Sequence, residues 1–340
     1  MVYRGSKYSR GFTIVELLIV IVVIGILAAI TIVAYNGIQQ RATVASLNSD
    51  LDNASKTIKL FQVDNSAFPA TINCAIPDST TNKCVKSSNG TTYQYIATSV
   101  PQLFCLAATK SAQSYSINQD GTPLAGSCPI LRLDAGNTMS YPGTGTTWTD
   151  LSGSASNGTL MNGVGYSSAN GGALTFDGVI SKVALTSGIP VGRALSIDVV
   201  GKVTSTAVSN NFFSANGPAF IRIVGGKVRW DLLTVRDSDG VWTWSFNNGN
   251  ISILPNVIYD LTMTFDGSSV KGYVNGVQDI NIAVATGQTP PSAYITIGYT
   301  TGGEDSPLIG SVYTVKLYDK TLSDSDITQN FNSIRGRYGL

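Results

Sequence analysis

The chain has no histidine and only two glutamates, Glu16 and Glu304, in 340 residues. Without histidine it lacks the commonest general base and metal ligand, which argues against zinc sites and Ser-His-Asp triads. So few glutamates leave little for glycoside hydrolysis, which ordinarily needs two carboxyl groups across the scissile bond. Such a pair would need Glu304 with an aspartate, or two aspartates, and no strand-like run carries carboxylates at alternate positions. Charge is also sparse. Lys plus Arg (22) nearly cancel Asp plus Glu (21), and charged residues make up 13% of the chain. The electrostatic footprint of a nucleic-acid binder is missing, so no nucleic-acid partner is expected. Metal-free or calcium chemistry remains.

Cysteine is scarce and confined to one interval: Cys74, Cys84, Cys105 and Cys128, with no CxxC pair to suggest zinc or redox catalysis. An even count downstream of a membrane-targeting segment points to disulfides and a compartment outside the cytosol. Three connectivities are open. Pairing Cys74 with Cys84 and Cys105 with Cys128 closes two modest loops and is favoured.

What is abundant is hydrophobic sequence at the N-terminus. From Phe12 to Ala34 the run is apolar except for Thr13, Glu16 and Thr31, long enough to cross a bilayer as a helix. Lys7 and Arg10 precede it, which keeps the N-terminus cytoplasmic and places the chain beyond Ala34 outside. A cleaved secretory signal would be shorter and end at a small-x-small site. A plain anchor leaves Glu16 unexplained, because an ionised side chain in a membrane helix costs about 2.5–3.5 kcal/mol on insertion scales. A cut between Gly11 and Phe12 would create a terminal amine at the same depth. Glu16 of one copy would then pair with the amine of a neighbour, coupling burial of the charge to assembly.

Gly11-Phe12-Thr13-Ile14-Val15-Glu16, after a short basic leader and before a long apolar helix, resembles the signature of type IV pilins and secretion-system pseudopilins. The resemblance implies a prepilin peptidase that cuts after Gly11 and methylates Phe12, a docking role for Glu16, and other pilin subunits as partners. Gly25 matches a glycine common in such helices. Val33 stands where many members carry proline.

Beyond the span, Leu47, Leu51, Ala54, Ile58 and Phe61 recur at spacings of four, three, four and three, one face of a continuing helix. Phe68-Pro69 ends the helical pattern. Runs such as "TYQYIAT" and "SYSINQDG", with an Asn89-Gly90 turn, suit a small sheet.

From about Ile130 the texture becomes all-β. Hairpin cues fall at Asp237 to Gly240, Asp266-Gly267 and Asn275-Gly276, and "YITIGYT" and "GSVYTVKLYD" add strands. "LRLDAGNTMSYPGTGTTWTDLSG", "NGGALTFDG", "YDLTMTFDGSSVKGYVNGV" and "GSVYTVKLYDKTLSDSDITQNF" are together similar to concanavalin A-like, laminin G-like sandwich domains. Those domains mostly bind carbohydrates or proteins, often with calcium, although some relatives are glycoside hydrolases. The resemblance implies a short final helix, for which Ser323 is the N-cap. Trp242, Trp244 and Phe246 alternate and so share one face; an exposed row would stack on sugar rings, but inter-sheet core is the expectation. Trp148 reads as structural. Asp150, Asp177, Glu304 and Asp305 are the candidate calcium ligands.

The expected architecture is an α+β N-terminal unit, a long helix plus a small sheet, followed by an all-β two-sheet jelly-roll sandwich. The boundaries are a leader over 1–11, a span over 12–35, helix continuation and head over 36–130, and the sandwich over 131–340. The expected function is that of a non-enzymatic pilin-like subunit, minor or at the tip, single-pass in the membrane before assembly and on a surface filament afterwards. It would display a domain that binds carbohydrate or a surface protein. A pseudopilin and a membrane-tethered glycan-cleaving enzyme are the alternatives.

Overall fold

A computed structural model describes residues 14–99, 102–111, 113–119, 121, 123–215, 217–292, 294–300 and 306–340. Gly11, Phe12, Glu304 and Asp305 lie outside these, as does the side chain of Glu16. By compactness the chain divides into one unit ending at Ser46 and one spanning Leu47–Leu340.

A single helix runs from Ile14 to Asn65, stopping just before Phe68-Pro69. Ser66 there adopts φ 59°, which breaks the helical path. Among the described residues no helix is long and apolar enough to cross a membrane; several side chains of the expected span are not among those described.

In the second unit, Leu47, Leu51, Ala54 and Ile58 join Phe104, Leu106 and Ala108 in one buried cluster. These come from a four-stranded antiparallel sheet ordered Thr92–Ser99, Gln102–Lys110, Gln113–Asn118, Leu124–Ala125. The strand Gln102–Lys110 is buried on both faces: alternate residues meet the helix, while Cys105 and Ala107 pack with Cys128. Disulfides join Cys74 to Cys84 and Cys105 to Cys128. The first closes a loop organised by buried Asn82, whose Oδ1 accepts from Thr71 Oγ1 (2.6 Å) and the Asn73 amide (3.0 Å).

Two larger antiparallel sheets complete the unit. One is ordered Trp242–Ser252, Lys227–Arg236, Ala219–Val224, Asn210–Ala215, Ile295–Ile297, Lys182–Leu185, Gly158–Met161, Thr147–Trp148. The other is ordered Val277–Ala283, Ser269–Val274, Tyr259–Phe265, Leu195–Val203, Ile309–Tyr318, Ala173–Asp177, Gly165–Ser167, with Leu131–Asp134 also paired to Ile309–Tyr318. Their inner faces share one core that includes Val183, Ile221, Ile223 and Trp230 from the first and Leu174, Ile197, Val199, Met263 and Val315 from the second, the layered solution expected of a sandwich. Trp148 is fully buried in it.

The turns obey their residues. Asn275 and Gly276 both take positive φ (53° and 73°), as a tight turn between right-twisted strands requires. A closing helix, Asp324–Tyr338, starts at Ser323, whose Oγ accepts from the Asp326 amide while the Asp326 carboxylate accepts from the Ser323 amide. Ile327 of this helix packs with Tyr273 and Tyr318, and Tyr338 packs with Val200 and Tyr313. The second sheet is thereby covered on its outer side, and Tyr259–Phe265 is buried at every position.

Candidate binding face

The strand Trp242–Ser252 lies at the edge of the first sheet. Its register sets Trp242 opposite Val235, Trp244 opposite Leu233 and Phe246 opposite Asp231. On that neighbouring strand the core positions are Val228, Trp230 and Leu232, so the residues facing the aromatics point outward by strand alternation. Trp242, Trp244 and Phe246 are accordingly 64%, 38% and 57% exposed. The expectation that they fill the inter-sheet core is overturned. The opposite positions beside them, Thr243, Ser245 and Asn247, are polar and only half-buried, so over this stretch the inward face is the hydrophilic one.

The exposed rings form an ordered surface. Trp244 and Phe246 stack with centroids 5.4 Å apart and planes 7° from parallel, and Phe220 continues the row at 5.7 Å from Trp244. An ion network supports it from beneath. Asp231 accepts from Arg222 Nε (2.9 Å) and Nη2 (2.7 Å) and from Arg229 Nε (3.0 Å). Arg229 lies 4.8 Å from the centroid of the Phe246 ring and Arg222 lies 5.3 Å from that of Phe220, favourable against the negative ring face. Burial pushes the Asp231 carboxyl up, opposed by Arg222 and then Arg229. A strip of two indoles and two phenyl rings, backed by guanidinium groups that Asp231 holds in place, offers flat faces for stacking. Sequence reasoning missed Phe220, Arg222, Arg229 and Asp231. The signal was in the hairpin: counting back from the Asp237 to Gly240 turn sets the aromatics on the same face as Asp231.

Of the candidate calcium ligands, Asp150 and Asp177 lie among the described residues, and each accepts hydrogen bonds from its own loop. Asp150 is buried, with Oδ1 accepting from the Arg132 and Ser152 amides (both 2.9 Å) and Oδ2 from Ser152 Oγ (2.8 Å) and the Ser156 amide (3.1 Å). It is a loop organiser with its lone pairs occupied. Asp177 caps its own turn, accepting from Ser181 Oγ (2.6 Å) and the Val179 amide (2.9 Å). Those bonds, Ser181's first, hold its carboxyl below the usual range. Among the described residues no group of three His, Cys, Asp or Glu side chains is placed to hold a metal ion.

Residues 6–32 match the prokaryotic N-terminal methylation motif, and residues 192–328 match the concanavalin A-like lectin/glucanases superfamily. Among curated proteins, the type II secretion system core protein G of Escherichia coli is 31% identical over 68 residues, 20% of this chain and 47% of that protein. The type IV wide pilus major component PilA4 of Thermus thermophilus is 37% identical over 62 residues, 18% of this chain and 47% of its own length. The Pseudomonas aeruginosa core protein G aligns more fully, at 27% identity over 34% of this chain and 87% of that protein. The chain spans about half the length of most of the curated relatives it matches. Among solved structures, the botulinum neurotoxin serotype G binding domain superposes with a TM-score of 0.47 at 14% identity, covering 60% of this chain and 51% of that one. This chain therefore joins an N-terminal methylation motif and a pilin- or pseudopilin-like N-terminal region to a concanavalin A-like sandwich.

Proposed function

We propose that this protein is a pilin-like subunit that enters a surface filament through its N-terminal helix and carries a carbohydrate-binding sandwich outward. The observation that carries the binding half is the exposed row of Trp242, Trp244 and Phe246 on an edge strand, with Trp244 and Phe246 stacked. Exposed indoles lose contact with water when they meet the flat apolar face of a pyranose ring, and alternation sets three large rings on one face of this strand. Binding without turnover fits a flat, open strip. A minor or tip position is argued from bulk, since a sandwich of this size crowds a filament built of this subunit alone. In this reading prepilin peptidase cuts after Gly11 and methylates Phe12, the span over 12–35 holds the precursor in the membrane, and Glu16 guides docking onto neighbouring subunits.

The test is binding of the full-length chain in detergent to an immobilised glycan array, beside Trp244→Ala. Stacking energies of about 0.5–1.5 kcal/mol correspond to roughly a two- to twelvefold loss in affinity for that variant. Retention of glycans by wild type and variant alike moves the site elsewhere, and absence of any bound glycan sinks the carbohydrate reading. A pseudopilin is the second reading, favoured by the matches to secretion core protein G. Recovery of the protein in sheared surface filaments, with methylated Phe12 as its first residue, decides for a pilus.

A further inference from the structure

Eight asparagines in the chain are followed directly by glycine, the residue that leaves its own backbone nitrogen least hindered. The fold does not treat them alike. Asn36 lies within the helix Ile14–Asn65, and Asn248 lies within the strand Trp242–Ser252 before a glycine packed on Asp279. Asn157 Oδ1 accepts from the Asp150 amide (2.9 Å), Asn275 Oδ1 accepts from the Asp260 amide (2.9 Å), and Asn162 Nδ2 donates to the Ile180 carbonyl (3.0 Å). Asn170 precedes Gly171, whose carbonyl is held by Arg337 Nη2 (2.8 Å). Asn216 lies outside the described residues. Asn89 differs from the other described pairs. It and Gly90 are the central residues of a turn closed by the Thr91 amide, which donates to the Ser88 carbonyl (3.0 Å). Gly90 takes φ 77° while Asn89 keeps a negative φ, the type II pattern, in which the central N–H takes no part in the turn's own bond. Both residues are exposed, and among the described residues neither the Asn89 side-chain amide nor the Gly90 N–H has a hydrogen-bond partner. The space is open as well: the nearest atom to a Cβ built on Gly90 is Lys110 Cε, at 3.9 Å.

We propose that Asn89 is a site of spontaneous modification, at which the folded chain loses its side-chain amide through a cyclic imide with Gly90. Solvent base takes the Gly90 amide proton, and the nitrogen attacks Asn89 Cγ. The new N–Cγ bond forms, the Cγ–Nδ2 bond breaks, and Nδ2 leaves with a proton from solvent as ammonia. Water then opens the ring. Cleavage at Cγ gives aspartate, and cleavage at the Asn89 backbone carbonyl gives isoaspartate. One amide and one water become one acid and one ammonia, with no oxidant or reductant. The position gives the change a structural consequence. Ser88 Oγ donates to Asp50 Oδ1 (2.5 Å) on the long helix, and Thr92–Ser99, the edge strand of the small sheet, begins just beyond the turn. The product sets a new carboxylate next to that contact, and the isoaspartate form adds one carbon to the main chain of a turn closed by a single bond.

The deciding measurement follows each Asn-Gly peptide by mass spectrometry while the full-length chain stands in detergent in mildly alkaline buffer, beside a sample unfolded in guanidinium chloride. Isoaspartate is read by enzymatic methyl transfer. In the folded chain the Asn89 peptide is expected to acquire the amide-to-acid mass shift roughly tenfold or more ahead of those carrying Asn157, Asn162 and Asn275, whose bonded side chains react only through local opening. In the unfolded chain the same peptides convert at similar rates. Asn89→Gln keeps an exposed amide but would need a larger ring, and its peptide is expected to stay unchanged. Conversion of Asn162 or Asn275 as fast as Asn89 in the folded chain overturns the proposal. So does an Asn89 that keeps its amide in the folded chain while the unfolded chain converts, and loss of the amide from Asn89→Gln at the wild-type rate overturns the imide route.

Discussion

Several polar side chains in the sandwich are tied to specific partners. Trp230 is fully buried, yet its indole N–H donates to Asp279 Oδ2 at 2.9 Å, and Asp279 Oδ1 also accepts from the Asn250 and Ile251 amides. Gly272 lies so close beneath the Trp230 ring that a Cβ there would meet Cε2 at 2.4 Å; the indole takes the space a side chain would fill. Asp324, at the start of the closing helix, accepts from Tyr273 Oη (2.6 Å) and Lys271 Nζ (3.2 Å). The Tyr273 bond first, and then Lys271, hold its carboxyl below its ordinary value of 3.8. A depressed carboxylate stabilises the fold above its unfolded pKa, and that contribution is lost as pH falls through the folded value. Asp324→Asn is therefore expected to lower stability at pH 7, by no more than about 1 kcal/mol because solvent screens the exposed carboxylate. Thermal melts at a series of pH values check it: the gap from wild type narrows below about pH 4. A gap that stays constant with pH would assign the loss to packing.

At the scale of elements, local signals were legible wherever backbone chemistry decides the outcome. The hairpins at Asp266-Gly267 and Asn275-Gly276 occur in register where the turn residues place them, and the stripe from Leu47 to Phe61 is buried along its length. Ser323 caps the closing helix as its spacing to Asp326 implies. What was not legible was which face of an edge strand meets the core. Alternation shows that Trp242, Trp244 and Phe246 share a face, but the side they occupy depends on strand order, set by partners distant in sequence. Asp150 and Asp177 carry a related ambiguity, since a turn whose carboxylate accepts from its own amides and hydroxyls has the same composition as a calcium loop. The closing helix is short and depends on its ends. Ser323→Ala removes the acceptor for the Asp326 amide and is expected to cost about 1 kcal/mol, read as a lower urea midpoint with unchanged slope. Because the lost cap frees the first turn to fray, amide hydrogen exchange over Asp324–Tyr338 should also quicken in that variant.

For the molecule as a whole, the two halves of the chain answer to different physical demands, and the proposed function requires both. The sandwich carries its own inter-sheet core, whereas the N-terminal run has Glu16 in hydrocarbon-like sequence with no basic residue between it and Arg41. Intramembrane carboxylates are expensive unless paired, and a helix N-terminus already favours an anion. In the filament reading the partner is the terminal amine of another copy, so removal of the carboxylate should affect assembly and spare insertion. Glu16→Ala makes the span more apolar, and membrane-fraction levels of the precursor are expected to equal or exceed wild type. Its recovery in sheared filaments should fall by roughly tenfold or more, the scale of losing one charge-assisted contact of about 1.5–3 kcal/mol at each subunit joint. Glu16→Gln separates charge from shape, since the amide keeps the size and hydrogen-bonding capacity of the side chain but gives an ammonium no counter-ion. Filament recovery of the glutamine variant close to that of alanine assigns the effect to charge. Recovery close to wild type in both variants would remove Glu16 from the assembly step and leave the apolar helix alone to drive association.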